Sequence, residues 1–312
     1  MKTWKKVVLG LLFVIIVLPY LLYRESSLMI PEKPFDNSNF VTVDEVSLHY
    51  RIWESDEGKG NILLIHGLGG STFSFRNNVT ALLQAGYNVV AVDLPAFGYS
   101  DRKRNIDHSQ ENRARLLWLM IEKIEKQFGF DKQWILMGHS MGASTTIAMA
   151  NQKTDKVTAL GFIDGAVAGD ERNNLLFKLP PVQQWMKVIL KNFVVNKNNV
   201  TNFLTSAYGK APTERDVEGY YLPYTITKTF GAWIDFLGSA KNSNIEDLVD
   251  KDIPVIVLWG ENDEWVSVDT VDVITVTVSQ TYVYIFEGEG HCPNETSPYF
   301  NDKMIELLDQ LP

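Results

Sequence analysis

Ser140 sits in Gly138-His139-Ser140-Met141-Gly142, after the apolar residues Trp134-Ile135-Leu136-Met137 and before the small residues Ala143 and Ser144. An apolar strand that runs into Gly-x-Ser-x-Gly and then into a helix makes a sharp, strained turn that lifts the serine hydroxyl above the sheet edge. The flanking glycines leave room for the turn and for close approach of helix and strand. Free N–H groups and the positive dipole end of the helix face any oxyanion that forms there. Ser140 is therefore the candidate nucleophile.

A serine at neutral pH needs a neighbouring base, and imidazole suits it because its pKa lies near the working pH. The chain has five histidines, His49, His66, His108, His139 and His291. Where a nucleophile of this kind is followed by its acid and then its base, only His291 lies far enough beyond Ser140. It lies on a Gly-flanked loop just past the apolar stretch Tyr282–Phe286. The acid that orients the imidazole and stabilises its cation is expected at Asp263, in Trp259-Gly260-Glu261-Asn262-Asp263-Glu264. Asp164, at the end of the predicted strand Val157–Ile163, is the alternative, ahead of Glu261 and Glu264. An oxyanion hole needs two backbone donors. The Met141 amide is one, and Leu68, in His66-Gly67-Leu68-Gly69-Gly70, is the expected second. That glycine-rich run lacks a Gly-Lys-Ser/Thr ending and any G-x-G-x-x-G, which speaks against a phosphate loop. His66 and His139 read as structural groups holding the two loops, and Cys292 as buried filler.

Elements that could position these residues follow from the periodicity. Val41–Asp44 and Val46–Trp53 read as a hairpin, and strands are expected at Asn61–His66, Asn88–Asp93, Gln133–Gly138, Val157–Ile163, Pro254–Trp259 and Tyr282–Phe286. Helices are expected near Phe73–Gln84, at Ser109–Phe128, after Ser140, near Ser267–Val278 and at Pro298–Leu311, the last capped by Ser297. The second carries Leu117, Met120, Ile121, Ile124 and Phe128 at three- and four-residue spacing, a stripe for packing on a sheet. Continuous apolar strands separated by helices imply an α/β fold, a doubly wound, mostly parallel sheet. The alternation stops over residues 169–244, which are rich in aromatics and read as an inserted helical cap. The core is then 41–168 and 245–312.

Composition narrows the partners. With 45% hydrophobic and 21% charged residues, wholesale disorder is excluded. A net charge of −9 supplies no basic stripe, so no nucleic-acid partner is expected. Cys292 is the single cysteine, so no internal disulfide forms. No CxxC pair or His-x-x-x-His spacing points to a metal. Lys2, Lys5 and Lys6 precede an apolar run from Val7 to Tyr23, and a helix of roughly 17 residues covers about 25 Å, enough for a hydrocarbon core with interfacial help from Trp4, Tyr20 and Tyr23. An uncleaved membrane anchor over 1–25, followed by a linker over 26–40, is preferred to a cleaved signal peptide or a core helix. Tyr23-Arg24-Glu25-Ser26 offers no small-x-small cleavage site. The lysines place the amino terminus in the cytoplasm and the catalytic part outside.

Taken together, His66-Gly67-x-Gly69-Gly70, Asp93-Leu94-Pro95-Ala96-Phe97-Gly98-Tyr99-Ser100-Asp101, Gly138-His139-Ser140-Met141-Gly142, Gly260-x-x-Asp263 and Gly290-His291-x-Pro293 resemble the motifs of the α/β-hydrolase superfamily, in its capped, lipase- and esterase-like form. The resemblance spans about Val41 to Leu311. One departure is Ala96, where that family often has Gly; it is expected to be tolerated unless the backbone there has positive φ. The resemblance implies acyl transfer to Ser140 without a cofactor. The expected substrate is a small ester with an apolar acyl chain, such as an acylglycerol, and the layout is similar to that of membrane-anchored monoacylglycerol lipases. Thioesterase, amidase, C–C bond hydrolase and perhydrolase activities remain open, as does a membrane-tethered binding protein that kept the fold. Oligomeric state is not legible.

Overall fold

The computed structural model describes residues 3–130, 133–168, 177 and 179–312. Lys2 and residues 169–176 and 178 of the expected cap lie outside the described residues.

Eight strands form one sheet: β1 (Ser38–Val43), β2 (Val46–Trp53), β3 (Gly60–Ile65), β4 (Tyr87–Val92), β5 (Trp134–His139), β6 (Val157–Ile163), β7 (Val255–Gly260) and β8 (Thr281–Phe286). Their order is β1-β2-β4-β3-β5-β6-β7-β8. β1 pairs antiparallel with β2, and β2 with β4; every pairing from β4 through β8 is parallel. The hairpin turns at Asp44 and Glu45, with φ of 46° and 63°, the doubly positive geometry whose twist suits a two-residue turn.

Alternation along the central strands separates two cores. Leu63, Ile65, Val90, Val92 and Leu136 pack beneath the helices Gln110–Phe128 and Met141–Gln152. Ile62, Leu64, Val89, Ala91 and Met137 face the opposite side, against Val79–Gln84 and Phe300–Leu308. Both faces are covered, which is why these strands are uninterrupted apolar runs. Ser109 caps the long helix by accepting from the Asn112 amide at 3.3 Å, and Gly129 ends it at φ 71°.

Between β6 and β7 the chain leaves the sheet and builds four helices, Pro180–Ile189, Lys197–Tyr208, Glu214–Tyr221 and Thr229–Ser239. Their aromatic and aliphatic residues form a third apolar cluster that includes Val200, Leu204, Tyr208, Tyr220 and Tyr224, and meets the sheet portion at Phe73 and Cys292.

Several expected elements differ. The helix near Phe73–Gln84 is divided into a 3-10 turn, Thr72–Phe75, and a helix, Val79–Gln84. The Asp93 carboxylate takes the Thr72 amide (2.6 Å), and the Asn78 side chain is spent on Asn294 and Asn301, so neither end continues the other. The last helix starts at Phe300, not Pro298. Ser297 instead ends a short helix, Pro293–Thr296, and its hydroxyl accepts from the Tyr299 amide (3.3 Å) within the intervening turn. The amino-terminal helix runs Thr3–Leu22. Residues after it are no free linker: Ser26 Oγ donates to the Thr225 carbonyl (2.6 Å), the Thr227 amide to that of Leu28 (2.7 Å), and Ser38 and Asn39 already belong to β1.

Ala96 does adopt positive φ, 75°, and is buried, so tolerance there carries a strain of about 1 kcal/mol. Ala96→Gly relieves that strain but loses a buried methyl and frees the unfolded chain, so it is expected to change stability by less than about 1 kcal/mol. Ala96→Val puts a branched side chain into the same strained turn and should cost more than about 2 kcal/mol. Urea unfolding midpoints of the two variants check this pair.

Candidate active site

Loops at the carboxyl ends of β3, β5, β7 and β8 converge above the sheet, where open α/β sheets place their ligands. Ser140 stands between β5 and the helix Met141–Gln152 with φ 51° and ψ −120°, a conformation that costs about 1–3 kcal/mol and persists only where packing enforces it. A Cβ on Gly138 would overlap the Gly142 backbone, and one on Gly142 would overlap the Ile65 carbonyl. The Ser140 amide donates to the Ile163 carbonyl (2.9 Å), while its carbonyl accepts from Ala143 and Ala166 (3.0 Å each).

His291 Nδ1 donates to Asp263 Oδ2 at 2.7 Å. The other Asp263 oxygen accepts from the amides of Trp265 (2.8 Å) and Val266 (3.0 Å). Burial works against charge on Asp263, but the His291 hydrogen bond and those two amides outweigh it and hold the carboxyl below its ordinary range. Nδ1 being committed, Nε2 is the nitrogen left to work. Ser140 and His291 line one cavity of about 320 Å³, together with Gly67, Leu68 and Met141.

Asp164 is close to this pair but plays a different part. Its Oδ1 accepts from the Gly260 amide (2.9 Å), and its Oδ2 has no partner. Burial first, and then the Asp263 charge, push its carboxyl well above the usual range. Ligand atoms of Asp164, Asp263 and His291 lie within 4.8 Å of one another, yet Asp263 and His291 are already spent on each other and burial disfavours charge on Asp164. A cation has little to take from such a donor set.

The expected structural histidines bridge the loops. His66 Nδ1 meets the Gly67 carbonyl (2.7 Å) and its Nε2 accepts from the Leu94 amide (3.0 Å). His139 Nε2 donates to the His291 carbonyl (2.8 Å). Cys292 is buried, 3.8 Å from that nitrogen.

Three features have no clear signal in the sequence. Trp265 stacks on the His291 ring, centroids 5.1 Å apart, and lines the cavity. Ser74 and Tyr220, joined by a 2.8 Å hydrogen bond, add a polar corner to it. Behind them Glu295, fully buried, accepts from Tyr208 (2.8 Å) and Tyr220 (2.5 Å) and pairs with Arg76, which also pairs with Asp216. Tyr208, Asp216 and Tyr220 come from the inserted helices, which carry no strand–helix rhythm to read, and Ser74, Trp265 and Glu295 from short segments between the core elements. Only the run Asp263-Glu264-Trp265, an aromatic two residues past the acid, was a usable hint.

Residues 60–298 match the sequence profile of the α/β hydrolase fold family. The chain belongs to that family. It is a hydrolase of this fold, similar over 265 residues to an uncharacterised hydrolase, YugF, of Bacillus subtilis (strain 168), at 26% identity, covering 82% of this chain and 92% of that one. It is also 24% identical over 298 residues to the 2-hydroxy-6-oxononadienedioate/2-hydroxy-6-oxononatrienedioate hydrolase of Escherichia coli (strain K12 / DH10B), covering 89% of this chain and 98% of the other. Among solved structures, a membrane phospholipase A, described as a bacterial virulence factor, superposes with a TM-score of 0.69 at 22% identity, covering 99% of this chain and 96% of that one.

Burial holds three histidines neutral: His66 is pushed down to about 4, and His108 and His139 to about 3. In the unfolded chain each protonates near pH 6.5. Acidification from pH 6.5 therefore protonates the unfolded state first, and stability present above that pH is lost as pH falls towards the folded values. The unfolding free energy should drop between pH 6.5 and 5 by up to about 4 kcal/mol per pH unit. Thermal midpoints across that range check it; a flat profile contradicts neutral burial.

Proposed function

We propose that this hydrolase cleaves carboxylic esters with an apolar acyl chain through an acyl-enzyme on Ser140. The observation that carries the reading is the shared cavity. It brings the strained serine to the same wall as an imidazole whose other nitrogen is fixed on Asp263. His291 Nε2 takes the Ser140 proton as Oγ attacks the ester carbonyl, and returns it to the leaving alcohol. Water then attacks the acyl-enzyme with the same base, restoring the serine and releasing the acid. The amides of Met141 and Leu68 are assigned to the oxyanion; Met141 opens a helix, where N–H groups have no intrahelical acceptor.

Substrate class follows from the cavity wall. Phe203, Leu204, Ala207, Phe236, Leu237 and Trp265 dominate it, and no Lys or Arg is among its described lining residues. A neutral chain fits such a wall, whereas a dicarboxylate of the kind named for the Escherichia coli relative wants a cation. Carbon–carbon bond hydrolysis, the second reading, is favoured only by that relative. The helix Thr3–Leu22, long and apolar enough to cross a membrane, is assigned as an uncleaved anchor. On this reading its lysines favour an amino terminus inside, with the helices from Pro180–Ile189 to Thr229–Ser239 outside as a cap that selects substrate.

Ser140→Ala is expected to abolish fluorophosphonate labelling and, like His291→Ala, to lower ester turnover roughly 10³- to 10⁵-fold. Asp263→Asn should lower it comparably with little change in KM, while Asp164→Asn should not. The check is a chain-length series of p-nitrophenyl and glycerol esters. Labelling without turnover of any ester, but with turnover of a vinylogous 1,5-diketone acid, would move the assignment to the second reading.

A further inference from the structure

We infer that the face of the cap beside the amino-terminal helix is seated in the bilayer surface, and that the apolar cavity beneath it takes an acyl chain from a membrane lipid and leads it to Ser140. This rests on the ester reading above. Its first support is how the helix Thr3–Leu22 is held. That helix has a mean hydropathy of 2.2, and only 6% of its apolar window is buried. Pro19 has no N–H for the Ile15 carbonyl four residues earlier, and the indole N–H of Trp185, on the cap helix Pro180–Ile189, donates to that carbonyl at 3.1 Å. Lys187 and Lys191 stand 5.6 and 5.8 Å over the Tyr23 ring, where the helix ends. A tyrosine and basic heads at one level are what the headgroup region selects.

On the same cap segment Ile189, Phe193 and Val194 are 47%, 70% and 44% exposed. They form an exposed apolar strip on the segment that packs against the end of the helix Thr3–Leu22. Directly beneath them lies a second cavity of about 490 Å³, walled by Leu190, Phe193, Val194, Val200, Tyr224 and Trp233. It shares Leu68, Phe203, Tyr220, Phe236 and Leu237 with the cavity that holds Ser140. The two cavities thus abut across these five side chains, and on this reading the acyl chain passes from the outer one past them to the nucleophile. Hydrocarbon is the occupant this surface fits, because the same segment is fastened to a helix long and apolar enough to cross a bilayer.

The test uses the full chain in phosphatidylcholine vesicles. A nitroxide on Phe193→Cys is expected to collide with oxygen in preference to a nickel chelate, as a group in lipid does, whereas one on Lys303→Cys shows the reverse. Ile189→Asp should lower turnover of a long-chain monoacylglycerol in the vesicles roughly tenfold relative to turnover of a water-soluble butyrate ester by the same protein, the cost of one aliphatic side chain that no longer enters an apolar phase. Equal accessibility of the two labels, an unchanged ratio, or spin–spin broadening that shows a second copy on this face would each overturn the inference. A lipid-embedded label in a protein that cleaves neither ester would leave the seating intact and end the ester reading instead.

Discussion

The close approach of the helix Met141–Gln152 to the ends of β3 and β5 is the constraint on which the site depends. It is possible only because positions 138 and 142 carry no Cβ. That contact forces the backbone at Ser140 into the left-handed region and turns the first helical amides towards the cavity. Strain of this kind is local, but the force that sustains it is not: apart from Gly60 and Thr158, β3, β5 and β6 are buried, and their packing leaves the turn nowhere to relax. The serine owes its position to the sheet as a whole.

Around it, the ionisable groups are sorted by environment. Two carboxylates come close together at the ends of β6 and β7. One accepts two amides and an imidazole and is held below the ordinary carboxylate range; the other accepts a single amide and is pushed well above it. Like charges at this range cannot both persist in a buried site. The neutral histidines His66 and His139 then act as geometric struts, each tying a loop to the backbone of another.

Much of this was legible before any coordinates. The elbow, the two-sided apolar strands and the isolation of His291 late in the chain all leave local marks, because each is enforced by residues adjacent in sequence. Asp263 could be preferred to Asp164 that way but not separated from it, since both follow strands that end at the same edge and only the imidazole's direction distinguishes them. Ser297 looked like a helix cap but serves a turn, for the preceding Pro293–Thr296 helix already claims its backbone. Trp265, Tyr220 and Ser74 were missed for a different reason. Their partners lie far along the chain, Ser74 and Tyr220 being 146 positions apart, and turns and helices that meet by shape leave no period to recognise.

Glu295 gives the cap its mechanical character. This carboxylate belongs to the segment just after His291, yet its partners Tyr208 and Tyr220 rise from the inserted helices and its counter-ion Arg76 from the sheet side. Moving the inserted helices away would take two hydroxyl donors from Glu295, and Asp216 from Arg76, while the Glu295–Arg76 pair stays, at about 1.5–3 kcal/mol for each hydrogen bond to a charged group. Such a joint behaves as a rivet and not as a hinge, and it ties the inserted helices to the loop that carries His291.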